Sequence, residues 1–341
     1  MKIGIIGKFG PEEMGKHISD TLIDMGYDVV EFEFGPFLNQ KKKNKLNKLF
    51  IKIFNIVIYS KLEIRESVLK NFFKKLKKEK IEFLISTYDY LSFFEIQELK
   101  KENKNLKIVL WFPDALSNVG RSLFMTAGYD ALFFKCHHIV DYLKNYYELP
   151  VFYIGEAYNK KNNFPIKKKL KEEIDIAVVG NLHSYRLPFL EKLVALKKYK
   201  IKIFGNRPPF YIPISEELEK CFSGIYLTGE DRAEIFTNAK INLNTFHMGE
   251  VKGVNVRLFE IAGAGGFQLA TYRDEIKEFF EIGKELDTFS SFKELIEKID
   301  FYLANDKLRN KIAEAGYRKA KDRYTYQNRL EEILRITNNE N

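Results

Sequence analysis

The chain has 341 residues, of which 45% are hydrophobic and 30% are charged, and its formal net charge is +9. This composition excludes a disordered or fibrous protein, and the length indicates about two domains that each bury a core. No apolar run reaches the roughly 18–20 residues of a transmembrane helix, and the start of the chain is too short in apolar residues for a secretory segment. Cys136 and Cys221 lie far apart, so we expect a reduced, cytoplasmic protein without a disulfide framework or a zinc site.

Strands and helices alternate along the first half of the chain. The predicted strands are 2–6, 28–34, 81–86, 106–112, 131–134 and 151–154. The predicted helices are 12–25, 93–100 and 139–147. Such alternation predicts a parallel, doubly wound sheet with helices on both faces.

The positive charge is concentrated in residues 37–80, which hold thirteen Lys and one Arg against three Glu. Apolar residues recur at helical spacing within 46–58 and again within 68–76, so this region predicts two amphipathic helices. One interpretation is that the lysines only solvate two helices that pack on the sheet. The other is that residues 41–80 form a basic face for an anionic membrane surface or a polyanionic acceptor. Nucleic acid is not expected, because no known binding module is present.

A second α/β domain is predicted after a polar linker at 159–173. Its predicted strands are 174–179, 200–204, 240–243 and 267–270, and its last helices are 292–303, 307–321 and 327–336. The predicted domains are therefore 1–158 and 174–321. In sheets of this class, ligands bind outside the carboxyl ends of the strands.

The stretch 253–270 carries the most specific pattern. A glycine-bearing loop precedes an apolar helical run, and Gly265-Gly266 separates that run from a strand. The start of a helix suits a phosphate, so the N–H groups of Gly253 and Val254 are candidate donors. Arg257 and Glu260 lie three residues apart on one helical face. An ordinary surface salt bridge on a βα unit is the alternative interpretation.

These residues also carry a resemblance to a known family. Asn255-x-Arg257-x-Phe259-Glu260, with the turn at 178–186 and the tail at 312–329, resembles the CgeB-like branch of the GT-B glycosyltransferases over roughly residues 174–334. The resemblance implies two Rossmann-like, doubly wound parallel-sheet domains that face a central cleft. It also implies that the nucleotide-sugar donor binds the C-terminal domain as a co-substrate, without a cofactor, and that the helix 322–341 packs back on the first domain.

The resemblance and the chemistry of the residues together assign donor-binding roles to a set of residues in the C-terminal domain. The candidates are Gly180, Asn181, His183, Arg186, Lys252, Gly253, Val254, Asn255, Arg257 and Glu260. Arg186, Lys252 and Arg257 would neutralise the diphosphate, and Glu260 would accept the ribose hydroxyls. The sequence contains no Asp-x-Asp motif, so we expect transfer without a metal. Lys252 stands where the related family 4 has a first Glu, which leaves retaining and inverting outcomes both open.

Three side chains of the first domain are candidates for acid–base chemistry on the acceptor. Asp114 follows the strand 106–112 and is the leading candidate, His17 lies in the first helix, and Asp89 is more typical of a loop cap. In the second domain, His247 could line the cleft. The tandem His137-His138 has no acidic or Cys partner at ligand spacing and is interpreted as structural.

The leading functional hypothesis is transfer of a sugar from a nucleoside-diphosphate donor to a cell-surface, coat, glycan, lipid-linked or protein acceptor. Peripheral contact with the inner membrane face is one alternative for the location of the enzyme. A nucleotide-sugar epimerase of the same fold is one alternative. A non-catalytic module that docks on a partner or membrane through the basic helices is another. Neither the nucleotide base, the sugar nor the acceptor follows from the residues.

Overall fold

The three-dimensional structure is a computed structural model. It describes residues 1–33, 49, 52–53, 56, 62–114, 122–166, 168, 170–182, 186–247, 249 and 252–339. The chain divides into two compact units. The first comprises Met1–Phe134, Val140–Phe152 and Ile333–Asn341, and the second comprises Lys135–Ile139 and Tyr153–Glu332.

The first unit contains a six-stranded sheet. Its strands are β1 Lys2–Gly7, β2 Asp28–Glu33, β3 Phe83–Ser86, β4 Lys107–Trp111, β5 Ala131–Phe134 and β6 Val151–Tyr153. They are ordered β2-β1-β3-β4-β5-β6, and β1 pairs in parallel with both β2 and β3. Because β2 lies on one side of β1 and β3 on the other, the order of the sheet reverses between β1 and β3.

Described helices accompany these strands in alternation. They are α1 Met14–Asp24, α2 Leu62–Lys78, α3 Phe93–Glu102, α4 Phe124–Ala127 and α5 His137–Tyr147. Every residue of β3 and β5 is buried, as expected for a parallel sheet that is covered on both faces. The second predicted basic helix is confirmed as α2, whereas the first, at 46–58, falls mostly outside the described residues.

The second unit contains a five-stranded parallel sheet. Its strands are β7 Ile176–Val179, β8 Ile201–Phe204, β9 Ile241–Asn244, β10 Gln268–Thr271 and β11 Asp287–Phe289, in the order β11-β10-β9-β7-β8. The described helices are α6 Leu187–Ala195, α7 Glu216–Cys221, α8 Gly229–Asn238, α9 Arg257–Gly263, α10 Phe292–Ala304 and α11 Asp306–Arg323. The last helix, α12 Tyr326–Asn339, begins in this unit, and its residues from Ile333 onward belong to the first unit. The order of this sheet reverses between β7 and β9.

Residues before β7 pack on the second unit. The backbone N–H of Tyr158 donates to the carbonyl oxygen of Tyr324 (3.0 Å), and the N–H of Ile166 donates to the hydroxyl of Thr237 (3.1 Å). The ring of Tyr158 lies against α9, where a methyl group on Gly263 would come within 2.6 Å of its Cζ. Ile166, from the segment predicted as a linker, and Tyr158, the last residue of the predicted first domain, therefore both pack on the second unit.

The prediction of an α/β fold with two parallel sheets is confirmed. Most predicted elements of both halves are present, with ends that differ by one to three residues. The short strand β11 and the helices α4, α7 and α8 were not predicted. No helix among the described residues is long and apolar enough to cross a membrane.

Candidate functional site

A pocket of about 210 Å³ lies in the second unit, at the carboxyl ends of β7 and β9. The sheet order reverses between these two strands, and the loops that leave them in opposite directions form a crevice there. The pocket is lined by Val178, Val179, Gly180, Asn181, Arg186, Leu243, Asn244, Thr245, His247, Asn255, Val256 and Arg257. Five of the predicted donor-binding residues and His247 are thus brought together.

Two glycines shape the floor of this pocket. Gly180 has φ of 131° and Gly205 has φ of 143°, which are backbone conformations that other residues rarely adopt. The loop after β8 approaches the loop after β7 so closely that a methyl group on Gly205 would lie 2.7 Å from the carbonyl carbon of Gly180. The amide of Asn206 donates to Oδ1 of Asn181 (2.9 Å), which joins the two loops.

Arg186 ties the loop after β7 to the loop after β9. Its Nη1 donates to the carbonyl oxygen of Asn181 (3.1 Å), and its Nη2 donates to that of Thr245 (2.9 Å). It is the N-cap residue of α6 and so lies at the start of the helix that follows β7. Its guanidinium group is therefore fixed at the crevice by backbone oxygens from both sides.

Arg257, the first residue of α9, brings a second cation to the same place. A methyl group built on Gly180 would lie 3.7 Å from Nη1 of Arg186 and 3.8 Å from Nη2 of Arg257. The two guanidinium groups thus flank one glycine, whose missing side chain leaves room for a ligand. Two converging arginines beside exposed backbone form a site for an anion, and their planar forks suit phosphate.

The start of α9 is fixed by side-chain amides. Asn244 and Asn255 exchange two hydrogen bonds, from Nδ2 of Asn255 to Oδ1 of Asn244 (2.9 Å) and in the reverse direction (3.2 Å). Oδ1 of Asn255 also accepts the N–H of Leu258 (3.2 Å), which caps the helix. β9 and α9 are therefore held together at the edge of the pocket.

Glu260 is buried and contacts Arg257 on the side away from the pocket lining. Its Oε2 accepts a hydrogen bond from Nη1 of Arg257 (2.6 Å), and its Oε1 lies 3.1 Å from Nη2 of Arg232. Arg232 lies on α8, is also buried, and contacts Oδ1 of Asn163. Sequence analysis missed Arg232 and Asn163, because neither is near Glu260 in the chain and neither carries a local motif.

The other predicted donor-binding residues lie apart from the pocket lining or outside the described part of the chain. Gly253 (φ of 107°) and Val254 are buried, and the carbonyl oxygen of Gly253 accepts from Nη1 of Arg273 (3.3 Å). Lys252 is exposed. Their roles at the phosphate stay predictions, and His183 falls outside the described residues.

His247 lines the pocket with one side of its ring fixed. Its Nδ1 accepts the N–H of Gly249 (2.9 Å), and its carbonyl oxygen accepts from Nη2 of Arg273 (3.3 Å). The hydrogen bond from Gly249 requires an unprotonated Nδ1, so in the neutral ring the proton is on Nε2. The ring can therefore donate a hydrogen bond.

The candidate acid–base residues of the first unit follow its central strands. Asp114 comes after β4, and its negative charge acts on the nearby hydroxyl of Tyr88, just after β3. Burial, Asp114 and Glu13, in that order, raise the pKa of Tyr88 to about 12. Tyr88 is therefore neutral at physiological pH and can donate a hydrogen bond beside Asp114.

His17 and Asp89 are both buried. One carboxylate oxygen of Asp89 accepts the backbone N–H of Leu123 (2.6 Å), as expected for a loop cap. His17 lies in α1, where its carbonyl oxygen accepts the hydroxyl of Thr21 (2.7 Å). A catalytic role for His17 stays a prediction.

His137 of the tandem pair stacks on Tyr153, with ring centroids 3.6 Å apart, and its Nε2 lies 2.9 Å from Oε2 of Glu278. These contacts favour a structural role for His137. In the described ranges, no group of three or more His, Cys, Asp or Glu side chains is placed to hold a metal ion.

Comparisons with known proteins bear on the class of this chain. Residues 186–335 match the protein family described as Glycosyl transferase-like. This range begins at the arginine of the crevice and includes Arg257 and Glu260. A comparison with curated proteins gave no match.

Solved structures are similar over the whole length of the chain. Sucrose-phosphate synthase from Thermosynechococcus elongatus matches with a TM-score of 0.65 and 12% identity, over 99% of this chain and 98% of its own. An alpha-glucosyltransferase solved with UDP-glucose and DNA containing an abasic site matches with a TM-score of 0.64 and 13% identity, over 99% of each chain. Anabaena HepE, solved with UDP and glucose, matches with a TM-score of 0.57 and 13% identity, over 98% of this chain and 99% of its own.

The fold is therefore GT-B, as predicted. The match to the Glycosyl transferase-like family over residues 186–335, which include both arginines of the pocket, indicates an enzyme of the glycosyltransferase class.

Proposed function

We propose that this enzyme transfers a sugar from a nucleoside-diphosphate donor, and that the diphosphate binds between Arg186 and Arg257. The observation that carries the proposal is that both guanidinium groups converge on Gly180, where the sheet order reverses. As the bond to the sugar breaks, charge develops on the departing phosphate, and fixed cations stabilise it. Each charge-assisted hydrogen bond to phosphate contributes about 1.5–3 kcal/mol.

A screen of nucleoside diphosphates tests this function directly. UDP, GDP, CDP and dTDP are compared by thermal shift, and UDP is the first choice because two similar structures contain UDP or UDP-glucose. A ligand at 100 times its dissociation constant stabilises the folded state by about 2.7 kcal/mol. We expect at least one diphosphate to raise the melting temperature and its sugar conjugate to release free nucleotide during turnover. Binding without release of nucleotide would instead support an epimerase or a non-catalytic module.

We further propose that transfer does not need a metal. The sequence lacks an Asp-x-Asp motif, and the two arginines of the pocket supply the positive charge that a divalent ion supplies in metal-dependent transferases. Transfer is expected to persist in excess chelator. If activity disappeared in EDTA and returned with Mg²⁺ or Mn²⁺, the arginine-based mechanism would be wrong.

On the acceptor side we propose Asp114 as the general base, with His17 as the second candidate. The negative charge of Asp114 contributes to the raised pKa of Tyr88, so Tyr88 keeps its proton and can donate a hydrogen bond to an acceptor hydroxyl. A carboxylate such as Asp114 can take the proton of that hydroxyl. Cell-surface, coat, lipid-linked and protein acceptors all offer such a hydroxyl.

We also propose that the enzyme belongs to the CgeB-like branch. The motif Asn255-x-Arg257-x-Phe259-Glu260 supports this placement.

We also propose that the first unit contacts anionic lipid through α2. Lys70, Lys74 and Lys78 are exposed and recur every four residues, so they share one face of this helix. A lysine near an anionic bilayer contributes about 1 kcal/mol of attraction. The basic residues at 41–61 precede α2 in the chain and add to the positive charge of this region.

Sedimentation with vesicles that contain phosphatidylserine tests the lipid contact. We expect binding at 0.01 M salt that weakens at 0.15 M, because the Debye length falls from about 30 Å to about 8 Å. Replacing Lys70, Lys74 and Lys78 by Glu should abolish it. The matched control replaces the exposed Lys293, Lys307 and Lys311 of the second unit by Glu. If the two variants sedimented equally with the vesicles, the lipid contact through α2 would be wrong, and the lysines would only solvate a helix that packs on the sheet.

A further inference from the structure

Glu260 is held between two arginines. One carboxylate oxygen bonds Arg257 and the other pairs with Arg232, at 2.6 Å and 3.1 Å, and both Glu260 and Arg232 are buried. Glu260 is not among the residues that line the pocket, whereas Arg257 is. The carboxylate thus reaches the pocket through a guanidinium group.

The contacts of Arg257 fix the direction of its side chain. Nη1 donates to Glu260, while Nη2 lies 3.8 Å from the position of a methyl group on Gly180. The ring of Phe236 lies beside the guanidinium, with the centroid 5.6 Å from Cζ. Since the guanidinium is a rigid plane, holding Nη1 on one side determines where Nη2 points.

Arg232 in turn fixes Glu260. It comes from α8, whereas Glu260 and Arg257 come from α9, so the carboxylate is held by a neighbouring helix as well as by its own. Nε and Nη2 of Arg232 also lie 3.4 Å from Oδ1 of Asn163. The order of contacts from the interior to the pocket is therefore Asn163, Arg232, Glu260 and Arg257.

We propose that Glu260 and Arg232 are positioning residues that aim Arg257 at the donor diphosphate, and that Glu260 acts through Arg257 rather than by accepting the ribose hydroxyls. This inference rests on the proposed function, because it assumes that the pocket binds a nucleoside diphosphate. It replaces the ribose contact that the family resemblance implies for Glu260. It also assigns a role to Arg232, a residue without a recognisable motif.

Three probes that differ in their ribose and phosphate groups separate the two roles. They are UDP, 2′,3′-dideoxy-UDP and inorganic pyrophosphate, each titrated calorimetrically into the full chain. Glu260→Gln keeps the shape of the side chain and removes its charge. We expect it to weaken all three probes by a similar factor of about ten, as for one weakened charge-assisted hydrogen bond. Glu234→Gln is the matched control on α8, with the same change of charge away from the pocket, and should leave all three affinities unchanged.

A double-mutant cycle distinguishes a positioning role from a merely structural one. In the Arg257→Met background, Glu260→Gln should change pyrophosphate affinity by less than about twofold, because the group through which it acts is gone. Arg232→Lys keeps the charge but not the planar fork, so it should weaken pyrophosphate in the same direction as Glu260→Gln. If Glu260→Gln does not fold, Arg232→Lys is titrated with the same three probes.

The opposite pattern would overturn the inference. If the loss in Glu260→Gln appeared with UDP but vanished with the dideoxy nucleotide and pyrophosphate, Glu260 would contact the ribose. In that case the wild-type chain would still bind UDP, and the proposed function would stand. If the wild-type chain bound none of the three probes, nor any other nucleoside diphosphate, the proposed function and this inference would both be wrong.

Discussion

Nucleotide affinity is expected to fall by about tenfold to a hundredfold when Arg257 is replaced by Ala. The change removes at least one charge-assisted hydrogen bond to phosphate, worth about 1.5–3 kcal/mol, and 1.4 kcal/mol corresponds to a factor of ten. Arg186→Ala should have an effect of the same order, and the double variant should lose about the product of the two factors. Calorimetric titration with the nucleoside diphosphate that the thermal-shift screen identifies measures each affinity.

Arg318→Ala provides the control for these substitutions. Arg318 lies on α11 of the same unit, is exposed, and pairs with Glu314 at the surface (3.0 Å). Its removal changes the net charge by the same amount, so it reports any long-range electrostatic effect. Folded Arg186 and Arg257 variants that bound nucleotide as well as Arg318→Ala would refute the assignment of the pocket.

Stability is expected to fall by roughly 2–6 kcal/mol when Gly205 is replaced by Ala. Two effects act together: the backbone has φ of 143°, which costs about 1–3 kcal/mol in a residue with a side chain, and the added methyl group overlaps the backbone of Gly180, which costs a similar amount. The free energy of unfolding is measured by chemical denaturation. Nucleotide affinity should fall as well, because Gly180 forms the floor of the pocket.

Gly224→Ala separates the two effects. Gly224 also has a positive φ (72°), but a methyl group there would meet no atom within 4 Å. It should therefore cost about 1 kcal/mol, from the backbone alone, and leave nucleotide affinity unchanged. If Gly205→Ala and Gly224→Ala lost the same stability, the overlap with the backbone of Gly180 would contribute nothing, and the explanation by close approach of the two loops would be wrong.

The sequence predicted the parts of the site that depend on local pattern. The helix at 257–263, the strand after it and the pairing of Arg257 with Glu260 all follow from periodicity and from a spacing of three residues. The two glycines at 265 and 266 also predict correctly that the helix ends there and that a strand follows. A methyl group on Gly266 would lie 2.8 Å from Nδ2 of Asn242 and 2.9 Å from the carbonyl carbon of Phe236, so only glycine fits.

Contacts between distant parts of the chain could not be predicted in this way. Arg232 carries no motif, and its pairing with Glu260 depends on how α8 packs beside α9. The phosphate contacts predicted for Gly253 and Val254 assumed that the helix begins directly after the glycine. In the structure Val254 is buried and the helix is capped by Asn255, so the pocket lining of this segment begins two residues later than Gly253.

The packing of Tyr158, Asn163 and Ile166 on the second unit has a consequence for exchanging halves between related transferases. A chimera joined at the polar run near residue 168 would take these three side chains from one parent and their partners on α8, α9 and the loop at Tyr324 from the other. The contacts of these residues within the second unit would then join residues from different parents. A junction upstream of Tyr153 keeps all of these residues in the same parent as Arg186 and Arg257. We therefore expect a chimera to have the donor preference of the parent that supplies the segment from Tyr153 onward, which begins well before β7.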